Sequence, residues 1–130
     1  MSEYQNKSQQ YKDAAEQLKV SGLFAPVGHT AYYSCFLLFE HISCSKSFEL
    51  EELDLRYYGD SGSHQDTINE VTLYIHSKSR KDSQNIRSQI GELKQLRMSA
   101  DYYNEPFTER SATRAIALME LIQQLLIKYI

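Results

Sequence analysis

Arg97 is the residue whose position most strongly suggests chemistry. Counted at about 100° per residue, Ile86, Ile90 and Leu93 form an apolar seam on one helix face, and Arg97 falls within that seam. An unpaired buried charge costs several kcal/mol, so this guanidinium must be paired or must face a cleft. Asp101, four residues later, is the local partner that the spacing predicts. The alternative is an ion pair at the edge of the core that serves only stability.

His64 is the second candidate, because it stands at the predicted start of a helix. A helix N-terminus lowers the pKa of a histidine and offers free N–H groups to an anion. The alternative is an exposed loop histidine. His29, His41 and His76 are weaker candidates, since His41 falls opposite an apolar stripe and His76 lies in a basic surface segment.

Ten tyrosines include three adjacent pairs, Tyr32-Tyr33, Tyr57-Tyr58 and Tyr102-Tyr103. Tyrosine suits partly buried cores and interfaces, and its ring can also stack on nucleic-acid bases. A core or interface role is the simpler interpretation of most of them. Tyr33 and Tyr102 are the two that we place beside Arg97 and His64 in a candidate groove.

Other chemical signatures are missing from the sequence. It has no Gly-rich phosphate loop, no HExxH zinc helix and no GxSxG motif, and its two cysteines lack zinc spacing. We therefore expect no metal site and no cofactor, and a structural role for Cys35 on its apolar helix face. No apolar run approaches the ~18 residues that span a bilayer. The expected location is the reducing cytoplasm, away from membranes.

Charge is unevenly distributed along the chain. The net charge is −3, but residues 40–70 carry a net −6 and residues 71–97 a net +4. An acidic protein does not bind nucleic acid through bulk charge. The basic segment could still hold a short RNA or a nucleotide, and the alternative is an ordinary solvated helix face with a basic loop.

Apolar periodicity predicts an all-α fold, an up-and-down bundle of four to five helices in one domain spanning residues 1–130. The first helix runs from about Tyr4 to Val20, with residues 1–6 expected to fray, and Ser21-Gly22 ends it. The second begins near Pro26 and extends to Ile42. Because that helix is apolar on two sides, it should be central in the bundle or meet another subunit.

A long connector is expected over residues 43–63, with a short turn or helix in which Phe48, Leu50, Leu53 and Leu55 pack down. The third block begins at Ser63 as its cap, is interrupted over residues 78–83, and resumes with Ile86 until the chain reaches Pro106. The fourth block starts after Thr108 as its cap and continues to the C-terminus.

Three segments form a recognisable set, namely GHTAYYSCF at residues 28–36, Ser63-His64, and LRMSADY at residues 96–102. Together they resemble HEPN domains (higher eukaryotes and prokaryotes nucleotide-binding). Residues 28–36 resemble the AYYAxF helix of the family. Ser63-His64 opens the next helix in the same way, and residues 96–102, LRMSADY, resemble the LRxxADY signature. The resemblance covers the chain from about Tyr11 to Ile130 and is to the small stand-alone prokaryotic members.

The resemblance implies a homodimer, often partnered with a minimal nucleotidyltransferase in a toxin–antitoxin or defence system. Many members resemble metal-independent RNases with a histidine shortly after the arginine, but here Asp101 stands near that position. We therefore expect a catalytically degenerate module that binds a nucleotide or RNA through Arg97, His64, Tyr33 and Tyr102. One alternative is an active endoribonuclease toxin using Arg97, His64 and Asp101, and another is a purely structural interaction domain.

Overall fold

The structure, a computed structural model, describes residues 1–56 and 63–130, and the regular elements in these two ranges are all helical. The elements are α1 (Glu3–Val20), α2 (Phe24–Ser45), α3 (Ser47–Glu52), α4 (His64–His76), α5 (Arg80–Tyr102), α6 (Glu109–Leu126) and a 3₁₀ turn at Ile127–Tyr129. The chain is therefore a helical bundle, in agreement with the all-α prediction.

Hydroxyl side chains begin four of these helices. Ser2, Ser63, Ser79 and Thr108 each accept a hydrogen bond from the backbone N–H three residues later. Such a cap satisfies one of the N–H groups that a helix start leaves without a partner. The predicted caps at Ser63 and Thr108 are confirmed. The predicted end of α1 is also confirmed, since Gly22 follows it with a φ of 76°, in the left-handed region.

α2 is the central helix. Its predicted apolar face is fully buried, and it packs against α1, α4, α5 and α6. Tyr33 and Leu37 on the opposite face are half-buried. The predicted central position of α2 is confirmed, whereas its second face is only partly buried. The core around α2 includes Ala31, Cys35, Phe39, Ile42, Ile75, Leu93, Met119 and Ile122.

Several predicted boundaries differ from the structure. α1 already begins at Glu3, where the Ser2 cap satisfies N–H groups in the segment expected to fray. The connector predicted from residue 43 starts later, because α2 continues to Ser45 and α3 follows directly. Within it Leu50 is buried, whereas Phe48 and Leu53 are exposed, so only part of the predicted packing occurs.

Later boundaries shift for a similar reason. α5 does not resume at Ile86 but begins at Arg80, because Ser79 caps it by accepting from the Asp82 N–H. α6 ends at Leu126, and the last residues tighten into the 3₁₀ turn instead of continuing the helix. The Tyr57-Tyr58 pair lies outside the described residues.

An ion pair between Arg56 and the buried Glu70 holds the segment that follows α3. Arg56 donates to Glu70 Oε2 at 3.2 Å, to Ser43 Oγ at 3.0 Å and to the Ser43 carbonyl at 3.0 Å. These contacts join the segment after α3 to α2 and α4. In the described ranges, no helix combines the length and the apolar character that crossing a membrane requires.

Candidate functional site

A close contact between α2 and α5 positions the candidate site. A Cβ added at Gly28 would lie 2.9 Å from Ala100 Cβ and 3.1 Å from Phe107 Cζ. Only a glycine therefore allows the two helices this approach. It places the first turns of α2 directly against the last turns of α5, where Arg97 and Asp101 lie.

Arg97 and Asp101 form the predicted ion pair. Arg97 Nε lies 3.0 Å from Asp101 Oδ2, and the arginine side chain is only 16% exposed. The N–H does not point at that oxygen, so within the described residues the buried Nε has no hydrogen-bond partner. The same oxygen instead accepts a hydrogen bond from α2. The guanidinium therefore has an ion-pair partner, but not all of its N–H groups make hydrogen bonds.

Three tyrosine rings surround the guanidinium. The Arg97 Cζ atom lies 5.4 Å from the ring centroid of Tyr102, 5.6 Å from that of Tyr32 and 5.7 Å from that of Tyr33. Such contacts attract a cation to the face of the ring. Arg97 Nη2 also lies 3.5 Å from the Tyr102 hydroxyl. Burial raises the pKa of Tyr32 to about 12, although Arg97 opposes this shift, so Tyr32 is a neutral phenol at physiological pH.

His29 supplies the second hydrogen bond of the site. Its Nδ1 lies 2.9 Å from Asp101 Oδ2. Because an ionised carboxylate can only accept, Nδ1 carries the proton in this contact and Nε2 is left for another partner. The His29 side chain is 42% exposed, so Nε2 can meet a ligand from solvent. Its ring also packs on Tyr33, with centroids 4.6 Å apart.

His64 packs on the aromatic rings of Phe36 and Tyr33. Its ring stacks on Phe36 with centroids 3.9 Å apart and meets the edge of Tyr33 at 5.5 Å. Burial, then Arg97, then Lys94 lower the pKa of His64. We expected the helix N-terminus to cause this decrease, but desolvation by burial is the largest cause. His64 is consequently neutral and able to accept a proton near pH 7.

We call Arg97, Asp101, His29 and His64, with the rings of Tyr32, Tyr33 and Tyr102, the Arg97 cluster. It combines one fixed cation, one carboxylate and two imidazoles. Both imidazoles contact the ring of Tyr33, with centroid distances of 4.6 Å for His29 and 5.5 Å for His64. Guanidinium and imidazole groups together can bind a phosphate and transfer protons around it.

The structure brings together every residue that the sequence suggested for the site. Arg97, Asp101, His64, Tyr33 and Tyr102 all lie in the Arg97 cluster. His29 was expected to be a weaker candidate, and Phe36 and Tyr32 were not expected at the site. A signal for them exists, because His29, Tyr33 and Phe36 follow the i, i+4, i+7 spacing of one helix face.

The other reactive residues lie elsewhere. His41 is on the α1 side of α2, where its Nδ1 lies 2.8 Å from Ser2 Oγ, and His76 is exposed at the end of α4. Cys35 is fully buried, and burial raises the pKa of its thiol, which fits the structural role expected for it. In the part of the chain that the structure describes, no three His, Cys, Asp or Glu side chains are placed to hold a metal ion.

Comparisons with family models, with curated proteins and with solved structures found no match to this chain.

Proposed function

We propose that this protein is an HEPN-like module that binds the phosphate of a nucleotide or of RNA at the Arg97 cluster. The observation that carries this proposal is the guanidinium of Arg97, which is held by three aromatic rings, one of them in contact with both His29 and His64. A guanidinium positioned in this way loses little entropy when it binds an anion.

The rings around Arg97 favour a nucleotide over a simple anion. Tyr102 is 65% exposed and lies directly beside the guanidinium, so a base can stack on it while the phosphate meets Arg97. His29 and His64 add N–H or lone-pair partners on either side. The basic segment of residues 71–97 supplies the favourable local potential that the acidic protein as a whole lacks.

The HEPN resemblance extends this proposal to a homodimer, with a nucleotidyltransferase partner in a prokaryotic toxin–antitoxin or defence system. Tyr102 and Tyr103 are 65% and 50% exposed beside the cluster. Exposed tyrosines are enriched at protein interfaces, so this end of α5 is the surface that we assign to the second copy. Two clusters would then face one shared cleft.

Binding can be tested with a fluorescein-labelled RNA that carries 2′-O-methyl groups, which prevent cleavage. We expect Arg97→Ala to lose at least tenfold in affinity by fluorescence anisotropy. Arg114→Ala is the matched control. Arg114 also pairs with a carboxylate, that of Glu92, but Arg114 belongs to α6 and is not part of the Arg97 cluster. Unchanged binding in Arg97→Ala, with only a lower melting temperature, would support the purely structural interpretation instead.

RNA cleavage is the second candidate function, and the contact between His29 and Asp101 favours it. Metal-independent cleavage needs a base to remove the 2′ hydroxyl proton and an acid to protonate the leaving oxygen, and two imidazoles can fill these roles. The 2′ oxygen then attacks phosphorus, the bond to the 5′ oxygen breaks, and a 2′,3′-cyclic phosphate and a 5′ hydroxyl remain. Neutral His64 suits the first role, His29 beside Asp101 the second, and Arg97 stabilises the charge on phosphorus.

Incubating unmodified RNA with the protein in EDTA tests this second function. Cleavage that ends in a cyclic phosphate, and that is lost in both His29→Ala and His64→Ala, would establish it. His76→Ala is the control, since His76 is exposed at the far end of α4. If RNA binds through Arg97 but stays intact, the protein is a binding module without nuclease activity.

A further inference from the structure

A groove between α1 and α6 is a second concave site in the bundle. It has a volume of about 500 Å³, which is within the range of small-molecule sites. Lys12 lines the α1 wall, Glu120 and Gln123 line the α6 wall, and Leu38 of α2 lies between them. We call this feature the α1–α6 groove. Among the described residues that line it, none belongs to the Arg97 cluster.

The two walls of the groove run in opposite directions. α1 and α2 are antiparallel, since only residues 21–23 join them. α2 and α5 are also antiparallel, and so are α5 and α6, as four contacts show: Gly28 with Ala100, Tyr32 with Arg97, Glu92 with Arg114, and Asp82 with Tyr129. α6 is therefore antiparallel to α1.

Ser34 of α2 sets a common level on both walls. Its Oγ donates to the Ser8 carbonyl of α1 at 2.9 Å and accepts from Gln123 Nε2 of α6. Lys12 comes about one turn after Ser8, and Glu120 comes about one turn before its neighbour Gln123. Because the helices are antiparallel, both charges lie roughly 5 Å from this level in the same direction. A cation and an anion therefore occupy opposite walls at one end of the groove.

These two charges are not used within the described part of the chain. Lys12 and Glu120 form no ion pair, either with one another or with another described residue. The lysine side chain is half-buried, and the glutamate is exposed. A molecule that carries both an ammonium and a carboxylate would form one charged hydrogen-bonded pair with each wall.

Gln123 adds an oriented acceptor beside Glu120. The Ser34 hydroxyl has one hydrogen and donates it to Ser8, so it must accept from Gln123. This contact assigns Nε2 to the inner side of the amide and leaves Oε1 without a described partner. Ser8 and Ser34 are both buried, which fixes the amide in place. A ligand ammonium, with three donors, can bind the carboxylate and this oxygen together.

The other end of the groove is apolar. Ile127 lies one turn beyond Gln123, away from the charges, and Ile130 also lines the groove. Their side chains are 68% and 41% exposed. The Tyr129 hydroxyl donates to Asp82 of α5 and so holds the 3₁₀ turn in place. An apolar ligand body at this end would cover surface that is otherwise left in water.

We propose that the α1–α6 groove binds a small zwitterion of the α-amino-acid type with a large apolar side chain. The ligand carboxylate binds Lys12, its ammonium binds Glu120 and Gln123, and its side chain extends toward Ile127. A fatty acid offers no cation to the glutamate, and an amine without a carboxylate offers no anion to the lysine. Only a ligand with both charges at one end and an apolar body at the other matches the whole groove.

Titration calorimetry of the full chain with L-phenylalanine tests this site. We expect a dissociation constant below about 1 mM. Three analogues each remove one feature of the ligand: L-phenylalaninamide lacks the carboxylate, N-acetyl-L-phenylalanine lacks the ammonium, and glycine lacks the side chain. Each should bind at least about tenfold more weakly, because each loses one set of contacts.

Two variants assign the two charges. Lys12→Gln should remove the difference in affinity between phenylalanine and its amide, and Glu120→Gln should remove the difference between phenylalanine and its N-acetyl form. Lys19→Gln is the matched control, because Lys19 is on α1 but does not line the groove. Methyl NMR locates the ligand, since phenylalanine should shift the resonances of Ile127 but not those of Ile86, which is buried on α5.

Two results would overturn the inference. One is a dissociation constant for phenylalanine above about 1 mM. The other is tighter binding in which Lys12→Gln and Glu120→Gln leave the differences between phenylalanine and its analogues unchanged. Neither result would affect the proposed function, because the Arg97 cluster contributes no described residue to this groove.

Discussion

Two helical glycines should respond in opposite directions to the same substitution. In Gly28→Ala the new methyl group would lie 2.9 Å from Ala100 Cβ, a distance that real Cβ atoms avoid, so α2 and α5 must separate. In Gly91→Ala the methyl group meets open space. Both changes gain roughly 0.5–1 kcal/mol of helix propensity, but overpacking at Gly28 costs roughly 1–3 kcal/mol.

The net effect for Gly28→Ala is a loss of about 1 kcal/mol, which lowers the melting temperature by roughly 4 °C in a domain of this size. Gly91→Ala should raise it by roughly 2–4 °C. Thermal unfolding followed by circular dichroism measures both. The shift at residue 28 should also disturb the contact between His29 and Asp101, which NMR of the imidazole would detect.

A double-mutant cycle makes this test stricter. Ala100→Gly removes the methyl group that the new Cβ would strike, so Gly28→Ala should cost less in that background than in the natural protein. If Gly28→Ala stabilises the protein as much as Gly91→Ala does, the close approach of α2 and α5 is wrong. The geometry of the Arg97 cluster would then be wrong with it.

Three further predictions concern ionisable groups. The pKa values of His64 and His41 are lowered in the folded protein, so the unfolded chain binds protons more readily at these two residues. The free energy of unfolding should therefore fall as the pH drops below about 6.5, and His64→Phe should reduce this dependence in urea unfolding at a series of pH values. Arg56→Met removes charged hydrogen bonds from the buried glutamate that Arg56 contacts on α4, and should cost about 2 kcal/mol in urea unfolding. A thiol reagent should label exposed Cys44 in the native protein but not buried Cys35, so Cys44→Ser should abolish labelling.

Much of the fold follows from local sequence signals. The caps at Ser63 and Thr108 and the glycine after α1 depend on contacts within a few residues, and all three are confirmed. Boundaries were less predictable where packing decides them. α3 forms because Leu50 is buried against the core, while Phe48 and Leu53, which share its apolar character, stay exposed. Apolar residue type alone does not distinguish these three.

The site shows the same division between local and distant signals. Arg97 and Asp101 lie one turn apart on one helix, so their pairing could be read from spacing alone. His29 is 72 residues from Asp101 in the chain, and no periodicity connects them.

The signal that was available for His29 is the glycine beside it. A glycine inside an otherwise apolar helix costs stability, so Gly28 marks a place where another backbone approaches closely. A polar residue next to such a contact, as His29 is, must lie near the partner helix. Gly91 departs from this rule, because a Cβ built there would meet nothing within 4 Å. The sequence alone does not distinguish the two glycines, since the difference between them lies in which other helix packs against each position.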